Sequence, residues 1–275
     1  MAHDPMLLVQ FTGLLAAVGV FAGILAGLLG VGGGIVLVPA FYYVFGGLGY
    51  ESPYLMQLCV ATSLATMVVT AIRSLSTHSK EGDVQWYVLR GWGPGIVIGA
   101  ALGVFVVAQL ETVTLQIIFG VLAFSVGLYM ALGKAHWQLG EALPSGVARA
   151  VLSPVIGGLS VLIGVGGGAF GVPLMALHGI AIHRAVATAS GFGLLIAVPS
   201  VIGFLLVSMP AEVRPPFTVG SVNFAAFAII VAMTLLTAPF GARLAHRLDA
   251  AKLRRVFAVF LLLVAVNMLR KALTG

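Results

Sequence analysis

The chain has 275 residues, 60% of them hydrophobic and 8% charged, with a formal net charge of +6. An average soluble domain carries roughly 25% charge, so a soluble enzyme or binding module is excluded. The basic excess does not signal nucleic-acid binding, because it falls in short loops between apolar stretches, where it sets membrane orientation.

Apolar stretches of about 18 residues or more recur from end to end, which predicts transmembrane helices. Residues 6–29 form a first span rich in Gly and Ala. It runs into Leu29-Gly30-Val31-Gly32-Gly33-Gly34, and a shorter apolar piece covers 35–45. Residues 46–53 read as a loop. The next span, 54–75, carries Gln57, Thr62, Ser63, Thr66 and Thr70. A polar loop covers 76–85, and Trp86, Tyr87 and Trp92 beyond it resemble an interfacial aromatic belt. Two spans, 91–109 and 113–132, meet at a tight turn, Glu111-Thr112. The polar stretch 133–145 divides the chain.

The second half repeats the order. Residues 147–163 lead into Ile163-Gly164-Val165-Gly166-Gly167-Gly168, and a short apolar piece runs to about 182. A span over 183–207 holds Thr188 and Ser190, a loop covers 208–216, and spans over 217–244 and 256–269 close the set. Met1-Ala2-His3-Asp4-Pro5 has no Lys or Arg and the first apolar run outlasts an h-region, so no cleaved signal peptide is expected. Cys59 is the single cysteine, so an intrachain disulfide and a cysteine metal site are both ruled out.

Residue matches support a duplication with halves 1–140 and 141–275, together one membrane domain. Val60-Ala61-Thr62 matches Val186-Ala187-Thr188. Gly103, Leu110-Glu111 and Phe119 match Gly241, Leu248-Asp249 and Phe257 at one constant offset. If each half crosses an odd number of times, Arg73, Lys80, Arg90, Lys134, Arg149, Arg184, Arg243, Arg247, Lys252, Arg254 and Arg255 share one side. Only Arg214, Arg270 and Lys271 then lie opposite. The positive-inside rule favours that count, with both termini periplasmic. The expected fold is an all-α polytopic bundle of two inverted-topology repeats. Each repeat has a glycine-broken or re-entrant helix, giving about 8 full spans in about 10 helical segments.

Three consecutive glycines weaken a helix and expose its backbone. In hydrocarbon such a break survives only where protein or a watery cavity satisfies the freed groups. Each break offers N–H groups and a partial positive charge at the start of the helix that follows, a setting for a small anion. The alternative is close packing by small residues. Candidate ligands are thus Gly32, Gly33, Gly34, Gly166, Gly167 and Gly168. Thr62, Ser63, Thr188 and Ser190 stand at corresponding places, and their hydroxyls can donate to an oxyanion. Back-bonding to the preceding turn is the alternative for each. His183 and Arg184 precede Thr188 and fit an electropositive way in or a proton relay, or interfacial anchors. No Asp or Glu lies well inside a span, no dinucleotide fold surrounds the glycines, and no Walker A motif is present. No cofactor, metal or catalytic group is implied.

The two glycine segments, each running on to a proline (Pro39 and Pro173), together with the Ala-Thr-Ser-type elements, resemble the TauE/SafE family of sulfite exporters over nearly the whole chain. The family element often reads His-x-Ala-Val-x-Thr-Ser. His183-Arg184-Ala185-Val186-Ala187-Thr188 matches it, with Ala189 intervening before Ser190, while Gln57 stands where the first half would carry the histidine. A proton role is therefore sought at His183 before Gln57. The resemblance implies an inner-membrane secondary transporter that exports sulfite or a related small sulfur anion, with lipid as its surroundings and homodimerisation open. An uptake permease for organosulfonates coupled to protons, and an anion channel of the same fold, are the rival readings.

Overall fold

The computed structural model describes residues 5–29, 34–133, 138–245 and 250–274. Among them ten helices follow one another: α1 Pro5–Leu29, α2 Gly34–Gly47, α3 Leu55–Lys80, α4 Trp86–Gln109, α5 Thr112–Leu132, α6 Gly146–Leu162, α7 Gly168–Leu177, α8 Ile182–Leu206, α9 Phe224–Ala245 and α10 Ala250–Thr274. A two-stranded antiparallel hairpin, β1 Thr218–Val219 with β2 Val222–Asn223, precedes α9. Gly32 and Gly33 of the first break, Lys134, Arg247 and the Leu248-Asp249 match lie outside the described residues.

The protein is an all-α membrane bundle. Helices α3, α4, α5, α8, α9 and α10 are long and apolar enough to cross a bilayer, and α2, α6 and α7 are shorter apolar helices. A helix satisfies its own backbone, which hydrocarbon demands. Large apolar side chains such as Leu102, Phe105, Leu263 and Val266 face outward, as a lipid-exposed surface requires. Helix α3 is the opposite case, with 78% of its apolar stretch buried against 22% for α9. It is the central helix, and its polar residues Gln57, Thr62, Ser63 and Thr66 are all buried.

Small residues set the helix pairings. Gly19 faces Met233, Gly23 faces Thr234, and Gly241 faces Ile24, so α1 and α9 run in the same direction. Gly95 faces Ser153 and Gly103 faces Gly158, so α4 and α6 also run together. Gly120 faces Leu269 whereas Gly127 faces Leu262, so α5 and α10 run in opposite directions. Helices α3 and α8 are antiparallel too: Ala71 lies beside Gly193, and Gln85, just past α3, bonds Thr188 near the start of α8. Exchanging the first five helices for the last five turns the α1–α9 pair into α6–α4 and the α2–α3 pair into α7–α8. The match reaches single residues. Gly23 meets Thr234 where Gly157 meets Ile96, and Gly241 meets Ile24 where Gly103 meets Gly158.

Several boundaries differ from expectation. Helix α3 continues to Lys80 instead of ending at 75, because its last turns carry His78 and Lys80, which suit a helix C-terminus. Helix α4 starts at Trp86 instead of 91 and α10 at Ala250 instead of 256. The short piece after the second break stops at Leu177, where Gly179 at φ +81° lets the chain turn. The span expected from 217 begins as the hairpin, and α9 starts only after Asn223, whose Oδ1 accepts the Ala226 N–H at 2.8 Å. Trp86 and Tyr87 are exposed as a belt requires, but Trp92 is only 3% exposed and belongs to the core, because it sits on the inward face of α4.

Candidate functional site

The second break is a tight buried turn. The Gly164 and Val165 N–H groups donate back to the carbonyls of Val161 and Ser160, both at 2.9 Å. Gly164 has φ +63°, and a Cβ there would press on Val38 and Val60, so both conformation and space require glycine. Helix α7 then begins at Gly168 with Gly167 as its cap and no side-chain hydrogen bond to its first turn. The opening N–H groups of a helix have no acceptor within it.

The exit of the first break meets this turn. A Cβ on Gly34 would lie 2.9 Å from the Gly164 carbonyl oxygen, 3.3 Å from Val165 Cα and 3.1 Å from Met67 Sδ. Ser63 ties the two together: its Oγ donates to the Gly164 carbonyl at 2.8 Å, with the Gly34 carbonyl at 3.4 Å. A Cβ on Gly166 would run into the Met67 methyl and lie 3.3 Å from Gly193 Cα. Gly34, Ser63, Met67 and residues 164–168 thus form one buried cluster between α3 and α8.

A cavity of about 570 Å³ leads to that cluster. Met67, Gly167, Gly168, Ser190 and Gly193 line its deep end, and Thr70, Ala71, Ala26, Thr234 and Ala238 line its walls. Arg73, Ser74, Thr77, His78 and Glu81, towards the exposed end of α3, line its mouth. Glu81 is the only carboxylate among the described lining residues, and it is held at the mouth by His78, Nδ1 to Oε2 at 3.3 Å. The deep end therefore offers helix-end N–H groups and hydroxyls with no fixed negative charge. That chemistry suits a small anion.

The other expected ligands, Ser190 apart, lie elsewhere. Thr62 Oγ1 accepts the Asn223 N–H at 3.1 Å, just before α9. Thr188 Oγ1 accepts the Gln85 N–H at 3.0 Å, just before α4, and donates to the Arg184 carbonyl at 2.7 Å. The two threonines make the same contact in the two halves, and neither lines the cavity. Ser190 does line it, with its Oγ donating to the Ala187 carbonyl at 2.6 Å. Gln57 Nε2 donates to the Leu110 carbonyl at 2.9 Å and closes the end of α4. His183 is mostly exposed, its Nε2 3.7 Å from Asp83 Oδ1, and Arg184 is exposed beside it. His178 Nδ1 lies 2.8 Å from the Leu174 carbonyl at the end of α7. Met67 and Arg73 were not expected at a site, and Thr70 was noted only as a polar residue of its span. The legible signal was the stripe Met67, Thr70, Ser74, Thr77, His78 and Glu81, whose spacings of three, four and one put it on one face of α3.

The model of the family described as sulfite exporter TauE/SafE matches residues 15–268. The chain belongs to the TauE/SafE family. A probable membrane transporter protein of Haemophilus influenzae is 30% identical over 92% of this chain and 96% of its own length. A probable membrane transporter protein of Methanocaldococcus jannaschii is 24% identical over 93% of this chain and 94% of its own length. A third, from Bacillus subtilis, is 27% identical over 60% of this chain and 67% of its own length. No solved structure matches the chain significantly. This TauE/SafE protein is thus a multi-pass membrane transporter of its family, with a cavity reaching the second glycine break.

Proposed function

We propose that the protein is a secondary transporter that exports sulfite, or a related small sulfur oxyanion or organosulfonate, across a bacterial inner membrane by alternating access. The observation that carries the reading is the cavity, whose deep end presents Gly167, Gly168 and Ser190 and no carboxylate. The first-turn N–H groups of α7 and the Ser190 and Thr70 hydroxyls would hold the anion. Both hydroxyls bond carbonyls of their own helices, Thr70 at 3.3 Å and Ser190 at 2.6 Å. A bond to an anion is roughly twice as strong as one between neutral groups, so the exchange favours binding. Ser63, Thr62 and Thr188 would hold the surrounding frame rather than the substrate, and His183 with Arg184 would be an outlying basic group near the same end.

The antiparallel packing of α3 with α8 and of α5 with α10 supports inverted repeats over 1–140 and 141–275. The basic loops support a cytoplasmic cavity mouth, so the described state would face inward. A membrane potential, negative inside, drives anion exit by about 2.3 kcal/mol per charge per 100 mV, and export needs no ATP. The test is sulfite flux from proteoliposomes under an imposed potential, with sulfate and sulfonates as competitors. Saturable, potential-driven sulfite flux that Ser190→Ala weakens supports the proposal. Sulfonate accumulation driven by a proton gradient, with no sulfite flux, would overturn substrate and direction.

A further inference from the structure

The halves correspond closely enough to map one side of the cavity onto the other. Beyond the helix contacts, the loops that join α3 to α4 and α8 to α9 match. The Asp83 N–H donates to the His78 carbonyl at 3.3 Å, and the Ser221 N–H donates to the Phe204 carbonyl at 2.9 Å. Gly82 and Gly220, each one residue earlier, both have positive φ, +78° and +58°. Gln85 and Asn223, each two residues later, both donate to the threonine of the opposite central helix.

Carrying five of the cavity's lining residues through this correspondence gives a second set. Ala26 maps to Ser160, Thr70 to Ile196, Ser74 to Ser200, Thr234 to Ile96 and Ala238 to Ala100. All five mapped residues are 0% exposed. On that side the space is shut. One observation there has no explanation in the closed arrangement: the Ser160 hydroxyl is buried with no hydrogen-bond partner, one of two such side-chain atoms among the described residues. A buried hydroxyl left unbonded is destabilising. It makes sense if Ser160 is dry in this state and wet or ligand-bound in another. Ser200, the other polar residue in the mapped set, donates within its own helix, to the Ile196 carbonyl at 2.7 Å. The covering segment differs from its counterpart: the loop before α9 is longer, and its Met209 and Thr218 are buried.

We propose that the region between α4, α6 and α8 is the closed outer vestibule of the transport path, and that the small oxyanion leaves past the Ser160 and Ser200 hydroxyls. This rests on the alternating-access reading above. The exchange would open the α4–α6–α8 side as the α1–α3–α9 side closes, with the bonds of Thr62 and Thr188 kept in both states.

The test uses single-cysteine variants of the full chain. The native Cys59 is fully buried and is replaced by alanine. Ser160→Cys and Ser200→Cys report the proposed vestibule, and Ser190→Cys reports the open cavity. Oriented proteoliposomes carrying sulfite are treated with a membrane-impermeant thiol reagent from either face. We expect Ser190→Cys to react from the face with the basic loops. Ser160→Cys and Ser200→Cys should react from the opposite face, several-fold faster during sulfite turnover than in its absence. If both stay unlabelled from the opposite face, or react only from the basic face, the vestibule is refuted, whatever the flux. Labelling from the opposite face without sulfite flux would keep the vestibule and sink the substrate. Flux without that labelling would do the reverse.

Discussion

Thr62→Val keeps the shape of the side chain and removes one hydroxyl. Thr62 and Asn223 are both 0% exposed, and the bond between them spans 161 residues of sequence at 3.1 Å. The variant leaves the Asn223 amide buried without an acceptor, which costs about 1–3 kcal/mol. Thr188→Val deletes the matching bond from the Gln85 amide, but Gln85 is half-buried. Water restores part of that loss, leaving about 0.5–1 kcal/mol. Thermal unfolding in detergent should therefore show a Tm lowered by several degrees in Thr62→Val and by about one or two in Thr188→Val. The KM for the transported anion should be unchanged in both. A rise in KM with Tm unaltered would refute the structural role and return these hydroxyls to the substrate.

Gly167→Ala drives a methyl onto Phe192 Cβ and to 2.8 Å from the Ala189 carbonyl oxygen, so about 1–3 kcal/mol is lost and less monodisperse protein is recovered by size exclusion. Gly47→Ala, which meets nothing within 4 Å, should behave as wild type in the same measurement. Asn223→Ala removes the cap on Ala226 and the two Nδ2 bonds to Pro216 and Thr218, both 2.9 Å, and should lower Tm further than Thr62→Val. Arg73→Gln at the cavity mouth should raise KM several-fold at low salt with kcat unchanged, a difference that shrinks above about 0.15 M salt.

The spans were legible because apolar length and composition are local properties, and so was the second glycine break. The helix ends were less so. Ser76 and Thr77 read as loop, yet a polar helical turn outside the bilayer is stable, and α3 uses one. Trp92 read as a belt residue because its neighbours Trp86 and Tyr87 are one, and only the facing of α4 buries it. Of the residues lining the cavity, Gly167, Gly168 and Ser190 could be named from the sequence as candidates, since breaks and hydroxyls are visible there. The partners of Thr62 and Thr188 could not, because Asn223 and Gln85 reach them across 161 and 103 residues. Met67 was hidden for another reason. Nothing marks a methionine in an apolar helix as the residue that Gly34 and Gly166, 132 residues apart, both approach.

The most direct test of the central claim, that the anion rests against Gly167, Gly168 and Ser190, is equilibrium binding of sulfite to purified protein. Wild type, Ser190→Ala and Thr188→Val would be titrated calorimetrically under anaerobic conditions. Loss of one hydrogen bond to a charged group is worth about 1.5–3 kcal/mol, so Ser190→Ala should weaken binding about tenfold or more while Thr188→Val leaves it intact. Binding unchanged in Ser190→Ala and lost in Thr188→Val would contradict the account and move the anion out of the cavity.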